Sequence, residues 1–131
     1  MRATTGAAGV SAEALRQGNL RAVVGEFRRS EVLVPVVDGS LLSAESGGIR
    51  WLFAFTDEAA LERFAEARGE PVPERIPVYG ARLLDQVIPR VDGPAGIAVD
   101  AGSPTGFVLP PVTGIVPDAV AVDVPSKEPA A

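Results

Sequence analysis

The chain has 131 residues, 47% of them hydrophobic and 22% charged, which suits one globular domain and leaves no room for a second. Because it contains no histidine and no cysteine, Ser-His-Asp triads, thiolate nucleophiles and disulfide frameworks are excluded, and we expect no cofactor and no bound metal. A net charge of −5, with Arg28 and Arg29 as the only adjacent basic pair, argues against a nucleic-acid partner.

The chain opens with small and polar residues at 1–10, which we expect to be flexible. They lack the apolar core of a signal peptide, and no apolar run reaches the length of a membrane span, so we expect a cytoplasmic protein with no membrane partner. Ser11 can cap a short turn, and Asn19 can cap a longer helix. The apolar stripe of that helix contains Leu20, Val23, Val24 and Phe27.

Three successive strands follow, and they suggest an antiparallel meander. The first, at 32–37, is apolar throughout and ends at the turn signal Asp38-Gly39. Pro35 interrupts it, and because proline cannot donate a ladder hydrogen bond, we expect one side of the strand to be unpaired or bulged there. Residues 41–44 can pair back, and after a glycine turn residues 49–55 form the third strand.

The third strand passes abruptly into a helix. One face of the strand carries the aromatic side chains of Trp51, Phe53 and Phe55. We expect Leu61 and Phe64 of the helix to cover this face and Thr56 to cap the helix. Because no glycine-rich loop precedes the helix and two acids, Asp57 and Glu58, stand at its start, we do not expect a nucleotide site there.

The later elements are shorter: a strand at 76–79, a helix at 81–88, a strand at 95–99 and a last strand at 107–109. Residues 117–131 are expected to be a disordered tail, so the predicted domain covers 11–116. The fold prediction is α+β, a single domain with a mixed, largely antiparallel sheet of about five to six strands and about three to four helices packed on it.

Two places are candidate binding sites. The loop after the strand at 95–99 is rich in small polar residues, and its candidate ligand contacts are Asp100, Ser103 and Thr105. Since no histidine can activate Ser103, we do not expect it to act as a nucleophile. The second candidate is Arg50. If the strand at Pro35 is incompletely paired, a partner can bind there by adding a strand, and Arg50 would be the polar anchor for it. The alternative for Arg50 is a side chain that reaches solvent at a strand end.

Four segments carry a resemblance to a known family: VLVPVV, WLFAFTDEAALERFA, VYGARLLDQV and GPAGIAVDAGSPTGFVLPP. In this order and spacing, from about Gly18 to Pro111, the chain resembles the N-terminal domain of the bacterial SseB family. The resemblance implies an α+β domain with a mixed sheet, and it implies no catalytic residues. Where many relatives have an Asn-Pro-Gly turn after the late strand, this chain has Asp100-Ala101-Gly102.

From these observations we expect a non-catalytic protein-binding or accessory domain, whose partner is another protein or a second copy of the chain. The alternative is a regulatory domain that senses a small ligand, with its pocket at residues 100–105. A third possibility is an enzyme that works without histidine or cysteine chemistry.

Overall fold

Residues 19–123 are described by a computed structural model, so the predictions for residues 1–10 and for the turn at Ser11 lie outside the described residues. The described chain forms an α+β domain with three helices and seven strands. The strands form two sheets, and all neighbouring strands but one pair are antiparallel. The predicted α+β class is confirmed, although the strands divide between two sheets where one was predicted.

The elements have the following bounds. The helices are α1 (Leu20–Arg29), α2 (Glu58–Ala67) and α3 (residues 80–90), the last being α-helical over Gly80–Arg82, π-helical over Leu83–Val87 and 3-10 over Ile88–Arg90. The strands are β1 (Glu31–Val37), β2 (Ser40–Leu41), β3 (Ser43–Ser46), β4 (Ile49–Ala54), β5 (Glu74–Tyr79), β6 (Ala95–Val99) and β7 (Phe107–Leu109). No helix within residues 19–123 is long and apolar enough to cross a membrane.

The two sheets adjoin one another. The first has the order β2-β1-β5, and the second has the order β3-β4-β6-β7. They meet where Leu33 of β1 and Phe55, just after β4, exchange two hydrogen bonds with N···O distances of 2.7 and 2.8 Å. Strands β4 and β6 are parallel, so the second sheet is mixed, as predicted.

Strand β4 is covered on both faces, which explains its almost continuous apolar sequence. Leu52 and Ala54 face the main core, which is built from α1, β1, α3, β6 and β7. The whole of β6 is buried in the middle of this arrangement. The two parallel strands therefore form the rigid centre of the domain, and the loops at their ends take their positions from it.

The other face of β4 packs against α2 in a second, smaller apolar cluster. The ring centroid of Phe64 lies 5.5 Å from that of Phe53 and 5.0 Å from that of Phe55, and Leu61 of the same helix is fully buried there. The predicted covering of this face by α2 is confirmed for these two strand residues. Trp51 does not join the cluster; it is half-buried, and its indole N–H donates to the last carbonyl of β3 at 3.3 Å.

Pro35 does not lie at an open edge, because β1 is the middle strand of its sheet. Its carbonyl accepts from the Leu42 N–H at 2.9 Å, and the Leu42 carbonyl accepts from the Phe53 N–H at 3.1 Å. Because Pro35 has no N–H to donate to Leu42, the Leu42 carbonyl is free to accept from β4. The chain passes from the first sheet to the second at this residue. Pro35 lacks a backbone donor, as expected, but the prediction that one side of the strand is unpaired there is wrong.

The open edge of the first sheet is β5. Strand β5 pairs with β1 in a register that also includes a bond from the Gly80 N–H to the chain just before β1. In this register the backbone groups of Arg75, Pro77 and Tyr79 point away from the sheet. Pro77, in the middle, has no N–H, so an added strand would lose a bond there. The strand is nevertheless very exposed: Ile76 and Tyr79 expose 44% and 56% of their surfaces.

The segment predicted as a disordered tail is partly described. Residues 118–120 form a 3-10 turn, and Ala121 is buried in the main core. The Val122 N–H donates to a carbonyl of the preceding loop at 2.9 Å. The Asp123 carboxylate accepts from the backbone N–H and the hydroxyl of Thr113, each at 2.8 Å, and these bonds lower the pKa of Asp123. The chain therefore stays in contact with the domain as far as residue 123.

Helices α1 and α3 are joined by an ion pair on the surface. The guanidinium of Arg28 donates to both carboxylate oxygens of Asp85, at 3.0 and 2.7 Å. These hydrogen bonds hold the pKa of the Asp85 carboxyl below its ordinary value, although partial burial opposes them. Both side chains keep more than a third of their surface exposed, so solvent screens the pair.

We expect Asp85→Asn to lower the free energy of unfolding by less than about 1 kcal/mol near neutral pH, as exposed ion pairs do. Because the folded-state pKa is the lower one, the contribution is present above the unfolded pKa and is lost as the pH falls through the folded pKa. Urea unfolding of both proteins at about pH 7 and about pH 3 tests this. The difference between them should shrink at the acid pH, and an unchanged difference would contradict this assignment.

Candidate functional site

The predicted binding loop joins β6 to β7 at residues 100–106 and is built from two successive turns. The Ser103 N–H donates to the Asp100 carbonyl, and the Gly106 N–H donates to the Ser103 carbonyl, both at 3.0 Å. The Asp100 N–H donates to the carbonyl of Ala54, the last residue of β4, at 2.9 Å. The loop is therefore fixed at the carboxyl ends of the parallel strands, beside the start of α2.

Asp100 anchors this loop. It is the one buried polar or charged residue within residues 19–123, with 8% of its surface exposed. Its Oδ1 accepts from the Thr56 N–H at 2.9 Å, and its Oδ2 accepts from the Thr56 hydroxyl at 2.8 Å. Both oxygens are thus used inside the chain, and the carboxylate ties the loop to the residue that precedes α2. A ligand contact by Asp100 stays a prediction, and the burial of its side chain leaves little surface for one.

The start of α2 differs by one residue from the prediction. Asp57 is the N-cap, and its carboxylate accepts from the Ala60 N–H at 2.8 Å. Thr56 was predicted to be the cap, but its hydroxyl donates to Asp100 instead. The negative charge of Asp57 also lies favourably at the positive end of the helix.

A groove of about 260 Å³ lies between α2 and the loop. It is lined by Ala60, Arg63, Phe64, Ala67 and Arg68 of the helix, and by Ala101, Gly102, Ser103 and Pro104 of the loop. The helical residues follow the spacing of one helix face. Phe64 is half-buried, and the Arg68 guanidinium carbon lies 4.9 Å from its ring centroid. The groove therefore combines small and apolar side chains, an aromatic ring and two guanidinium groups.

The charge of this groove is opposite to that of the whole domain. The residues that line it include two arginines and no carboxylate, whereas the chain carries a net charge of −5. The Arg68 Nε lies 3.3 Å from a carboxylate oxygen of Glu70, and both side chains are about half exposed. Arg63 makes no ion pair with any residue in 19–123. The helical spacing places the acids of α2 on its other side: Glu58, Glu62 and Glu66.

Of the predicted site residues, Ser103 alone lines the groove. Its hydroxyl oxygen lies 3.1 Å from that of Thr105 and accepts from the Thr105 N–H at 3.2 Å. Both residues are exposed. The hydroxyl pair therefore shapes the second turn of the loop, and only the first of the two residues borders the groove.

Arg50 lies at the other end of β4. The end of this strand reaches the loop through Ala54, four residues further along the chain. The Arg50 guanidinium donates to the Ser43 hydroxyl at 3.0 Å and lies 3.6 Å from a carboxylate oxygen of Glu45. The side chain thus follows β3 towards solvent, which is the alternative given for it above. The structure does not bring the two predicted sites together.

Neither Arg63 nor Arg68 was predicted to be a site residue. A signal was present, because on a helical projection of α2 the two arginines lie on the side of Ala60, Phe64 and Ala67, while the acids lie on the far side. The described residues also contain no group of three acidic side chains that could hold a metal ion.

Comparison with protein families gives a match to the SseB protein N-terminal domain over residues 10–113. This range covers most of the chain and includes α2, the loop and the groove between them. Comparisons with curated proteins and with solved structures gave no match. The family match agrees with the resemblance carried by the four segments of the sequence. The chain belongs to the SseB family, through the N-terminal domain of that family.

Proposed function

We propose that this is a non-catalytic domain that binds a segment of another protein in the groove between α2 and residues 101–104. The observation that carries the proposal is the pairing of two guanidinium groups with a half-buried phenylalanine ring in one groove. Arginine and aromatic side chains contribute most of the binding energy at many protein interfaces. The bonds between Asp100 and Thr56 tie the loop to the start of α2, so both walls are already positioned and little ordering is needed on binding.

The contacts within the site favour binding over catalysis. The Ser103 hydroxyl, the nearest nucleophile in the loop, has only the Thr105 hydroxyl beside it and no base. The Asp100 carboxylate is hydrogen-bonded to Thr56 and is not among the residues that line the groove. These arrangements stabilise the loop and supply no acid or base at the groove surface.

A second candidate function is the sensing of a small anionic ligand at the same site. Two guanidinium groups can hold a carboxylate or a phosphate through charge-assisted hydrogen bonds. The volume of about 260 Å³ falls just below the usual range of small-molecule pockets, which begins at about 300 Å³. An extended segment of a protein needs no such enclosure, which is why protein binding is the leading proposal.

The test fills the groove without changing its charge. Ala67 is exposed on the groove face of α2, and Ala119 is exposed in the 3-10 turn at 118–120, outside the groove lining. We expect tagged wild-type protein and Ala119→Trp to recover the same partner from a native lysate of the source cells, and Ala67→Trp to lose it. Circular dichroism and urea unfolding should show that both variants remain folded.

Three results would contradict the proposal or move its site. Recovery of the partner by Ala67→Trp would place the interface elsewhere. Arg50→Glu would then be the next variant, because loss of the partner there would favour the surface beside β3. If wild-type protein recovers no partner, a small ligand becomes the better explanation of the groove.

A further inference from the structure

We infer that the segment bound in this groove is an extended acidic peptide, with two carboxylates that contact Arg63 and Arg68. The inference rests on the proposed function and specifies the chemistry of the partner. It begins from the distribution of charge around α2. Because the acids of the helix lie away from the groove, the residues that line it offer a bound carboxylate two cations and no anion, and Glu70, which pairs with Arg68, lies outside this lining.

Both arginines are available to a partner. Arg63 forms no ion pair within residues 19–123, and the pair between Arg68 and Glu70 is exposed and therefore weak. The acid of the loop, Asp100, is turned inwards onto Thr56 and does not neutralise them at the surface. A carboxylate from outside is therefore the natural partner for each guanidinium group.

The spacing of the two arginines favours an extended peptide. They are five residues apart, which corresponds to about 7.5 Å along the helix axis and about 140° around it, so they lie on either side of Phe64. Side chains two residues apart in an extended chain point the same way and are separated by about 6.6 Å. An extended segment with two acids on one side can therefore offer one carboxylate to each of the two flexible arginine side chains, one on each side of the Phe64 ring.

The floor of the groove distinguishes a peptide from a free anion. The Phe64 ring, Ala67 and Pro104 offer apolar atoms on the lining of the groove, beside the two arginines. The methylene groups of glutamate side chains can pack on such a surface, which a small inorganic anion does not use. We therefore expect the peptide to bind more tightly than its carboxylates would alone.

The experiment is a nuclear magnetic resonance titration of isotope-labelled full-length protein. The probe is the blocked hexapeptide Gly-Glu-Leu-Glu-Gly-Gly, and its control has glutamine in place of both glutamates. We expect amide shifts confined to residues 60–68 and 101–104, and affinity at least about tenfold weaker for the glutamine peptide. Arg63→Gln and Arg68→Gln should each weaken binding by at least about fivefold. Arg82→Gln, an exposed arginine outside the groove, should bind like wild type.

Other outcomes would overturn the inference. Equal affinity for the glutamine peptide would mean that the groove does not select charge. Equal shifts with acetate or inorganic phosphate would mean that it takes a free anion. Loss of the lysate partner in Ala67→Trp, combined with no binding of the acidic peptide, would overturn this inference and leave the proposed function standing. Recovery of that partner by Ala67→Trp would contradict the proposed function whatever the peptide does.

Discussion

Gly80→Ala is expected to lower the free energy of unfolding by at least about 3 kcal/mol, at the upper end of overpacking effects. A methyl group at this position would overlap the carbonyl oxygen of Phe27 and lie within 2.6 Å of Cδ2 of its ring. Neither group can move easily, because Phe27 is fully buried and the Gly80 N–H is bonded to the Ser30 carbonyl at 2.9 Å. The variant must therefore separate α1 from α3.

The matched control is Gly25→Ala in the middle of α1. Its methyl group would meet only the end of the Arg29 side chain, at 3.2 Å, which can rotate away. Since alanine forms helices better than glycine, we expect this variant to be more stable by about 0.5 to 1 kcal/mol. Urea unfolding of the wild type and both variants measures the contrast. A loss under about 1 kcal/mol for Gly80→Ala would show that the junction of α1 and α3 can yield.

Asp100→Ala is expected to cost about 3 kcal/mol. It leaves the N–H and the hydroxyl of Thr56 without their acceptor, and a hydrogen bond to a charged group contributes about 1.5 to 3 kcal/mol. Thr56 is half-buried, so water replaces part of the loss. The backbone adds to the cost, because φ at residue 100 is 51°, in the left-handed region that alanine disfavours.

Asp100→Asn separates these contributions. Its side-chain oxygen can still accept from the Thr56 N–H, and asparagine tolerates the left-handed backbone, so we expect a loss of only about 1 kcal/mol. Urea unfolding at neutral pH compares the two variants. If both lose the same amount, the Thr56 contacts are not what stabilises the start of α2, and the burial of Asp100 needs another explanation.

Much of the fold follows from local sequence patterns. Strand β4 and helix α2 were predicted because a continuous apolar run changes to helical spacing at a capping residue, and both features act within a few residues. The division of the second predicted strand at Leu42 could not be predicted. It depends on a donor missing from Pro35 and on the N–H that Phe53 donates to the Leu42 carbonyl, and both of these residues belong to other strands.

The candidate site was predicted only in part, for a similar reason. The composition of the loop drew attention to Asp100, but its partner Thr56 lies 44 residues away along the chain. Pairing over that distance is decided by how β4 and β6 lie together. The sequence of α2 indicates that its arginines and its acids lie on different sides of the helix. The facing wall of the groove, residues 101–104, can be identified only from the fold.

Cross-β polymers grow by adding strands to an edge strand whose backbone groups are open to solvent. At β5, an incoming strand would leave the backbone oxygen opposite Pro77 without a donor in the middle of the shared ladder. A second copy that paired antiparallel about this residue would place two prolines opposite each other and lose two bonds. Pro77 therefore weakens both filament growth and strand addition at the edge where Ile76 and Tyr79 are exposed.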